Sequence, residues 1–237
     1  MELGRSVATA LIVAAGRGER LGSNGPKAFV QLAGRPMIAW SIDAFRQVPA
    51  IEQVVVAVPP GWAPQNELEA EAVAGVVVCD GGAERSMSVL NALIASGSGA
   101  EDQPILVHDA ARPLLTPDLI GRMIAAITGE NGSEAAVAAA LVADTIRVAD
   151  AGGTAIATPD RSTLRAVQTP QAFRRRTLER ALAQGDAKLA AATDDASLVE
   201  MLGLPVRLVD APSENFKVTN PTDLKLAELV LAERSEA

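Results

Sequence analysis

A three-layer α/β fold with a mostly parallel central sheet is predicted by two observations. Short apolar, β-branched runs alternate along the chain with longer segments of helical period, and most of those runs are apolar at consecutive positions rather than at every second one. Alternation of this kind builds βαβ units, and strands apolar on both sides belong in a sheet covered by helices on each face. The arrangement is Rossmann-like, αβα in section, and its ligands are expected beyond the carboxyl ends of the strands.

The elements follow in order. Residues 10–14 read as a first strand, 37–48 as a helix, 54–58 as a strand, 67–74 as a helix, 76–79 as a strand and 86–95 as a helix. Residues 105–107 form the next strand. A helix follows at 117–127, with Thr116 at its N-cap and Pro117 in its first position, then a strand at 135–141. The segment 145–158 breaks the series: two short β-prone runs flank Asp150-Ala151-Gly152-Gly153, a turn signal, so a hairpin is expected. A two-stranded ribbon is marginal alone, so it must pack either on its own sheet or on a second copy of the chain; the second is favoured, with residues 143–160 as a protruding arm that makes a homodimer. Helices around 178–183 and 194–202, a strand at 206–209 and a closing helix at 221–232 complete the reading. No repeat or linker composition marks a boundary, so 1–237 is expected to be a single domain.

Composition narrows the function. The formal net charge is -8, which argues against general nucleic-acid binding, and with aromatics at 3% and no Tyr there is no platform for stacking bases. No run approaches a membrane span, and the apolar stretch 8–15 is read as a buried strand feeding a glycine turn rather than as a leader. Cys79 is the only cysteine, so no internal disulfide forms and a reducing, cytoplasmic setting fits; the residue itself is expected to be small core packing.

The first strand runs into Ala14-Ala15-Gly16-Arg17-Gly18-Glu19-Arg20-Leu21-Gly22, with Pro26-Lys27 shortly after. Glycines let backbone N–H groups approach phosphate oxygens, and Arg20 and Lys27 supply charge. A dinucleotide site would need a small residue where Leu21 stands and an acidic residue at the end of the second strand, where Val58-Pro59 occurs. A Walker-type loop would need Gly-Lys-Ser/Thr, which is missing.

Later motifs sharpen this. His108-Asp109-Ala110-Ala111-Arg112-Pro113, Asp144-Thr145, Gln168-Thr169-Pro170-Gln171, Thr193-Asp194-Asp195-Ala196-Ser197 and Asn215-Phe216-Lys217-Val218-Thr219 occur in that order. Together with the glycine loop they give a chain that resembles the sugar nucleotidyltransferases and, within them, the 2-C-methyl-D-erythritol 4-phosphate cytidylyltransferases. The resemblance spans nearly the whole sequence. It implies transfer of CMP from CTP to the methylerythritol phosphate with release of pyrophosphate, in isoprenoid-precursor synthesis. Residue by residue, it implies that Arg20, Lys27 and Lys217 are catalytic cations. Ala14, Ala15, Gly16, Gly18, Gly82, Ser88 and Asp109 would hold CTP. Asp109, Arg112, Thr145, Arg161, Thr169 and Thr193 would surround the acceptor, with Asp109 touching both substrates and Arg161 on the acceptor phosphate. Mg2+ is expected to bridge the triphosphate oxygens, with no protein metal ligands. The chain departs from the family where Ala28 follows Pro26-Lys27 in place of Gln.

Other residues receive plainer readings. His108, the only histidine, is assigned to packing, since no Gly-x-Ser-x-Gly elbow accompanies it. Arg174-Arg175-Arg176 is assigned to a solvated face, because cations opening a helix oppose its dipole. Asp194 and Asp195, preceded by Thr193, are assigned to a helix cap and first turn rather than to a metal pair, and Arg85 to a surface ion pair. Three alternatives remain: a cytidylyltransferase for another polyol phosphate such as ribitol 5-phosphate, a nucleotide-binding regulator without turnover, and a dinucleotide-dependent oxidoreductase. The double alanine before Arg112 speaks against the ribitol enzyme, the three cations against the regulator, and the missing acidic residue against the oxidoreductase.

Overall fold

A computed structural model describes residues 7–16, 25–63, 74–129 and 131–236. In chain order the elements are β1 (Ala8–Val13), β2 (Gln31–Leu32), β3 (Arg35–Pro36), α1 (Met37–Arg46), β4 (Ile51–Val58), β5 (Val76–Asp80), α2 (Arg85–Ala95), β6 (Pro104–Asp109) and α3 (Pro117–Thr128). They continue with β7 (Ala135–Leu141), β8 (Val148–Ala149), β9 (Ala155–Ala157), β10 (Arg165–Arg174), α4 (Arg175–Leu182), α5 (Asp186–Ala191), α6 (Asp195–Glu200), β11 (Val206–Asp210) and α7 (Pro221–Glu236). The helix expected at 67–74 falls outside the described residues except for Ala74, which lies in a turn.

Seven strands form one sheet in the order β11-β7-β10-β6-β1-β4-β5, and every neighbouring pair is parallel except the two that involve β10. The consecutive apolar runs fill both sides of it. Ala10, Ile12, Val54, Val56 and Leu106 pack with Ile38, Phe45, Leu119 and Met123 of α1 and α3. The alternate residues Leu11, Val55, Ala57, Ile105 and Val107 pack with Val89, Leu93, Leu178 and Leu198 of α2, α4 and α6. A smaller cluster ties α7, through Ala227 and Leu231, to Leu32, Met37, Leu114 and Val218. Thr116 caps α3 as expected: its hydroxyl accepts the Leu119 N–H at 3.3 Å, with Pro117 following.

The hairpin stands where the turn signal placed it, although its paired strands are only two and three residues long. The Asp150 carboxylate accepts the N–H groups of Gly152 and Thr154 at 2.9 and 2.8 Å, and Gly153 takes φ +82°, the left-handed conformation for which the turn needs a glycine. The hairpin β2-β3, the helix α5 and the strand β10 are not anticipated by the sequence pattern. β10 carries Arg165, Gln168, Pro170, Gln171 and Arg174, so it lacks an apolar run; its register on β7 shifts across residues 167–171, around the proline that cannot donate to the ladder.

Two of the plainer readings change here and one holds. The Arg174–Arg176 run is not a solvated face: Arg175 is 3% exposed and donates to Gln103 Oε1 at 2.9 Å, to the Gly97 carbonyl and to Ser96 Oγ, both at 3.1 Å. Arg174 and Arg176 meet Asp102 and Glu134. Carboxylates and carbonyls from other elements thus outweigh the dipole. At α6 the expected cap and first turn stand: Asp194 accepts the Ser197 N–H at 2.9 Å and Asp195 follows in the first turn. Cys79 is only half-buried, and burial, followed by the Asp80 charge, pushes its thiol up. Because the buried Arg175 serves three partners from outside its helix, Arg175→Ala is expected to lower the unfolding free energy by about 2–4 kcal/mol, against less than about 0.5 kcal/mol for the exposed Arg180→Ala on the same helix. Urea denaturation of the two variants measures both.

Candidate active site

The carboxyl ends of the parallel strands open onto two cavities. The first, about 590 Å³, is lined by Ala14, Ala15 and Gly16 after β1, by Lys27, by Gly82, Arg85 and Ser88 around the start of α2, by Asp109 at the end of β6, and by Lys217. The second, about 420 Å³, is lined by Arg112, Val137, Val167, Thr169, Thr193 and Leu208, among others. Arg85, Asp109 and Lys217 line both, so these three side chains form the partition between them.

The strand ends are placed by backbone pairing: the Ala14 N–H donates to the Ala57 carbonyl, the Ala110 N–H to the Val13 carbonyl and the Gly81 N–H to the Val58 carbonyl. Gly81 could not carry a side chain, since a Cβ there would stand 2.5 Å from that of Ala15 and 3.0 Å from Ser88 Oγ. Ser88 supports the same turn, accepting the Gly82 N–H at 3.0 Å and donating to the Glu84 carbonyl at 3.2 Å. Lys217 is held from both sides along the chain. The buried Asn215 donates to Gln168 Oε1 and to the Thr169 carbonyl, and the Val218 N–H donates to the Ala111 carbonyl.

At the partition Asp109 Oδ1 accepts from Arg85 Nε at 3.0 Å and Oδ2 from Lys217 Nζ at 2.7 Å. Arg85 Nη1 also donates to Asp195 Oδ2 at 2.6 Å. Arg85 is therefore no surface ion pair. The two carboxylates respond in opposite directions. Burial would raise Asp109, but the charges of Arg85 and Lys217 outweigh it and hold the carboxyl well below the usual range. Burial raises Asp195, and here it prevails: among the described residues Arg85 is its one cation and its Oδ1 is buried without a hydrogen-bond partner, while Asp109 and Asp194 are like charges nearby. Burial pushes the Arg112 guanidinium down; its Nη1 donates to the Asn215 carbonyl at 2.9 Å and its Nε is buried without a partner among the described residues. His108 is fully buried, but it hydrogen-bonds as well as packs, to Thr169 and to the Arg112 carbonyl.

The first cavity thus gathers Ala14, Ala15, Gly16, Gly82, Ser88 and Asp109 with Lys27 and Lys217, and the second gathers Asp109, Arg112, Thr169 and Thr193. Arg20 and Gly18 lie outside the described residues. Thr145 and Arg161 line neither cavity: both are exposed at the arm, where Arg161 Nη1 donates to the Ala143 carbonyl at 2.8 Å. Arg85 is the site residue that the sequence motifs miss. A signal for it is present, since a cation at the first position of a helix opposes the dipole and needs carboxylates from elsewhere.

Two cavities meeting at a wall of cations and one carboxylate suit joining two phosphorylated molecules, and comparison with known proteins identifies which kind. Residues 8–233 match the family model described as IspD, 2-C-methyl-D-erythritol 4-phosphate cytidylyltransferase. The chain belongs to that family. A cytidylyltransferase of that name from Frankia casuarinae is 46% identical over 224 residues, covering 94% of this chain and 80% of the relative, and one from Nocardia farcinica is 44% identical over 228 residues, covering 95% and 94%. The crystal structure of the cytidylyltransferase from Thermus thermophilus superposes with a TM-score of 0.78 at 38% identity, over 95% of this chain and 99% of that one. The family is one of nucleotidyltransferase enzymes, and the α/β sheet described above is its fold.

The direction of the Asp109 shift sets a pH dependence. Its folded value lies below the ordinary 3.8, so its ionised form adds stability that is fully present above the ordinary value and lost as pH falls toward the folded one. The stability difference between wild type and Asp109→Asn should stay constant from about pH 8 to about pH 5 and shrink below about pH 4. Urea unfolding at fixed ionic strength across that range measures the difference.

Proposed function

We infer that this chain transfers CMP from CTP to 2-C-methyl-D-erythritol 4-phosphate, releasing pyrophosphate and giving 4-diphosphocytidyl-2-C-methyl-D-erythritol for isoprenoid precursors. The observation that carries the reading is the partition. A nucleotide cavity bounded by Gly16, Lys27 and Gly82 and a second cavity bounded by Arg112, Thr169 and Thr193 share Arg85, Asp109 and Lys217 as a common wall. The acceptor phosphate is already ionised at neutral pH, so in-line attack on the α-phosphate needs neither a nucleophilic side chain nor a general base. What it needs is positioning and positive charge where negative charge grows. Lys27 supplies that charge on the nucleotide side and Lys217 at the wall, with Arg20 assigned to the same work by family resemblance. The backbone around Ala14, Ala15 and Gly82 and the Ser88 turn shape the base and ribose end.

Magnesium is proposed to travel with the triphosphate, whose oxygens supply its ligands. Among the described residues no three His, Cys, Asp or Glu side chains cluster, and each oxygen of Asp109 already meets a cation, so the described residues offer no protein cage for the ion. When bound, the ion would neutralise phosphate charge; the roles given above to the protein's residues do not depend on it. No described helix is long and apolar enough to cross a membrane. A cytoplasmic location is proposed from the lone cysteine and the nature of the substrates.

The homodimer is proposed from the arm. Ile146, Val148 and Ile156 are exposed on a ribbon too short to stand alone, and Arg161 and Thr145 sit at its base, away from this chain's own cavities. Their assigned roles at the acceptor are met if the arm reaches the partner's second cavity.

Pyrophosphate release with magnesium, each NTP in turn and competing methylerythritol and ribitol phosphates tests the reaction. Release is expected only with CTP and methylerythritol phosphate, and preference for ribitol phosphate would overturn the acceptor assignment. Lys27→Ala and Lys217→Ala should each lower kcat by on the order of 10²–10³-fold while changing CTP affinity far less. Lys217→Ala and Arg161→Ala should each keep only a trace of activity alone, yet mixing and re-annealing the two should restore about a quarter of wild-type activity, from the one intact site of each mixed dimer. Absence of complementation, or a monomer in sedimentation, would sink the shared site.

A further inference from the structure

The single histidine of the chain takes no part in the mechanism above, yet its surroundings determine what one of the proposed acceptor residues can bind. His108 lies on β6 with 0% exposure, its ring edge-on to Phe45. Nε2 stands 3.1 Å from the Arg112 carbonyl oxygen and 3.4 Å from Ser41 Oγ, and Nδ1 stands 3.0 Å from Thr169 Oγ1. A carbonyl oxygen only accepts, so the hydrogen-bond network assigns the ring proton to Nε2. Burial lowers the imidazole to about 4; Asp109 opposes that shift, and the charges of Arg112 and Arg85 add to it. At neutral pH the ring is therefore uncharged and Nδ1 is a bare acceptor.

Thr169 must then give its one O–H proton to Nδ1. The same Oγ1 accepts the Asp109 N–H at 3.0 Å. A hydroxyl has one proton and two lone pairs, so a single lone pair is left for anything in the second cavity.

We infer that neutral His108, protonated on Nε2, is a positioning residue that makes the Thr169 hydroxyl an acceptor-only contact and fixes the Asp109–Arg112 turn beside it. This deepens the cytidylyltransferase reading and rests on it, because it orients the acceptor. A phosphate dianion carries no proton to offer that lone pair; a polyol hydroxyl does. The polyol end of the substrate therefore lies against Thr169 on β10, and the phosphate end lies toward the guanidinium and ammonium groups of Arg112, Arg85 and Lys217.

The lock and its consequence have separate tests. In full-length protein labelled with 15N-histidine, one residue supplies the only pair of ring nitrogens. The expected spectrum is that of a neutral Nε2–H ring that does not titrate between about pH 8 and about pH 5, with the Nδ1 signal moving in Thr169→Val as its donor is lost. A proton on Nδ1, or titration near the ordinary value of 6.5, overturns the inference whether or not the protein turns over.

In kinetics, Thr169→Val should raise KM for the acceptor at least about tenfold and leave CTP affinity within about twofold, while Thr169→Ser, which keeps the hydroxyl, should recover most of that loss. His108→Asn, whose amide oxygen can take the place of Nδ1, should lose less than His108→Leu. The double variant His108→Leu/Thr169→Val should be no worse than the poorer single one. Additive losses, or parallel loss of CTP affinity, overturn the orientation. A wild type that releases no pyrophosphate with either acceptor would remove the functional reading, and the nitrogen spectrum would still decide the lock.

Discussion

The carboxylate of Asp109 is the point on which the site is organised. It stands at the end of a strand buried on both sides, with β1 parallel on one edge and β10 antiparallel on the other, so its backbone cannot move without disturbing the sheet. Its oxygens hold Arg85 and Lys217 at 3.0 and 2.7 Å, and its N–H holds Thr169. Two cations therefore occupy the boundary between the cavities because one anion is there first. The anion survives burial because the cations are there, as the downward shift of its pKa requires. The dependence is strongest on the anion's side: withdrawing its cations would strand a buried carboxylate, at about 3–5 kcal/mol for a buried charge left without its partner.

Arg85 and Lys217 are not equivalent in it. Arg85 also serves Asp195, which is 1% exposed and has no other cation among the described residues, so withdrawing Arg85 would leave that carboxylate unpaired in the interior. Lys217 has a side chain 41% exposed, donates to one carboxylate oxygen among the described residues although it carries three N–H donors, and sits on a segment fixed by Asn215 and Val218. The geometry separates a structural cation from one able to turn toward a phosphate.

Much of this is legible in the sequence, and the parts that are not share a cause. β1, β4, β6 and β7 are apolar at consecutive positions because both sheet faces are covered, and that pattern is visible in the residues themselves. β10 is hidden, because its middle is built around Pro170 from Gln168, Thr169 and Gln171, polar residues whose partners lie far along the chain: Asn215, His108, Asp194 and the Ala196 N–H. The motif that carries the family resemblance there is thus also a core strand. Arg85 and Arg175 share a second blind spot. Each opens a helix, where the dipole disfavours a cation, and each is held there by groups from other elements. Local rules describe the cost correctly but have no access to the compensation. Breaking such a rule at a buried position is a signal to look for distant partners, and at Arg85 the partners define the site.

The same logic explains why transfer without a protein nucleophile still requires an elaborate polar interior. Positioning catalysis depends on groups whose directions are settled before substrate arrives. A hydroxyl or an imidazole has no fixed direction by itself, since a proton can sit on either ring nitrogen and an O–H rotates freely. Direction is imposed by a neighbour that can act in only one way. The Arg112 carbonyl can only accept, which settles His108; a neutral His108 can only accept at Nδ1, which settles Thr169; and the Asp109 N–H can only donate, which leaves Thr169 one lone pair. The chain of one-way groups runs from backbone to cavity wall, and the sheet supplies both of its ends.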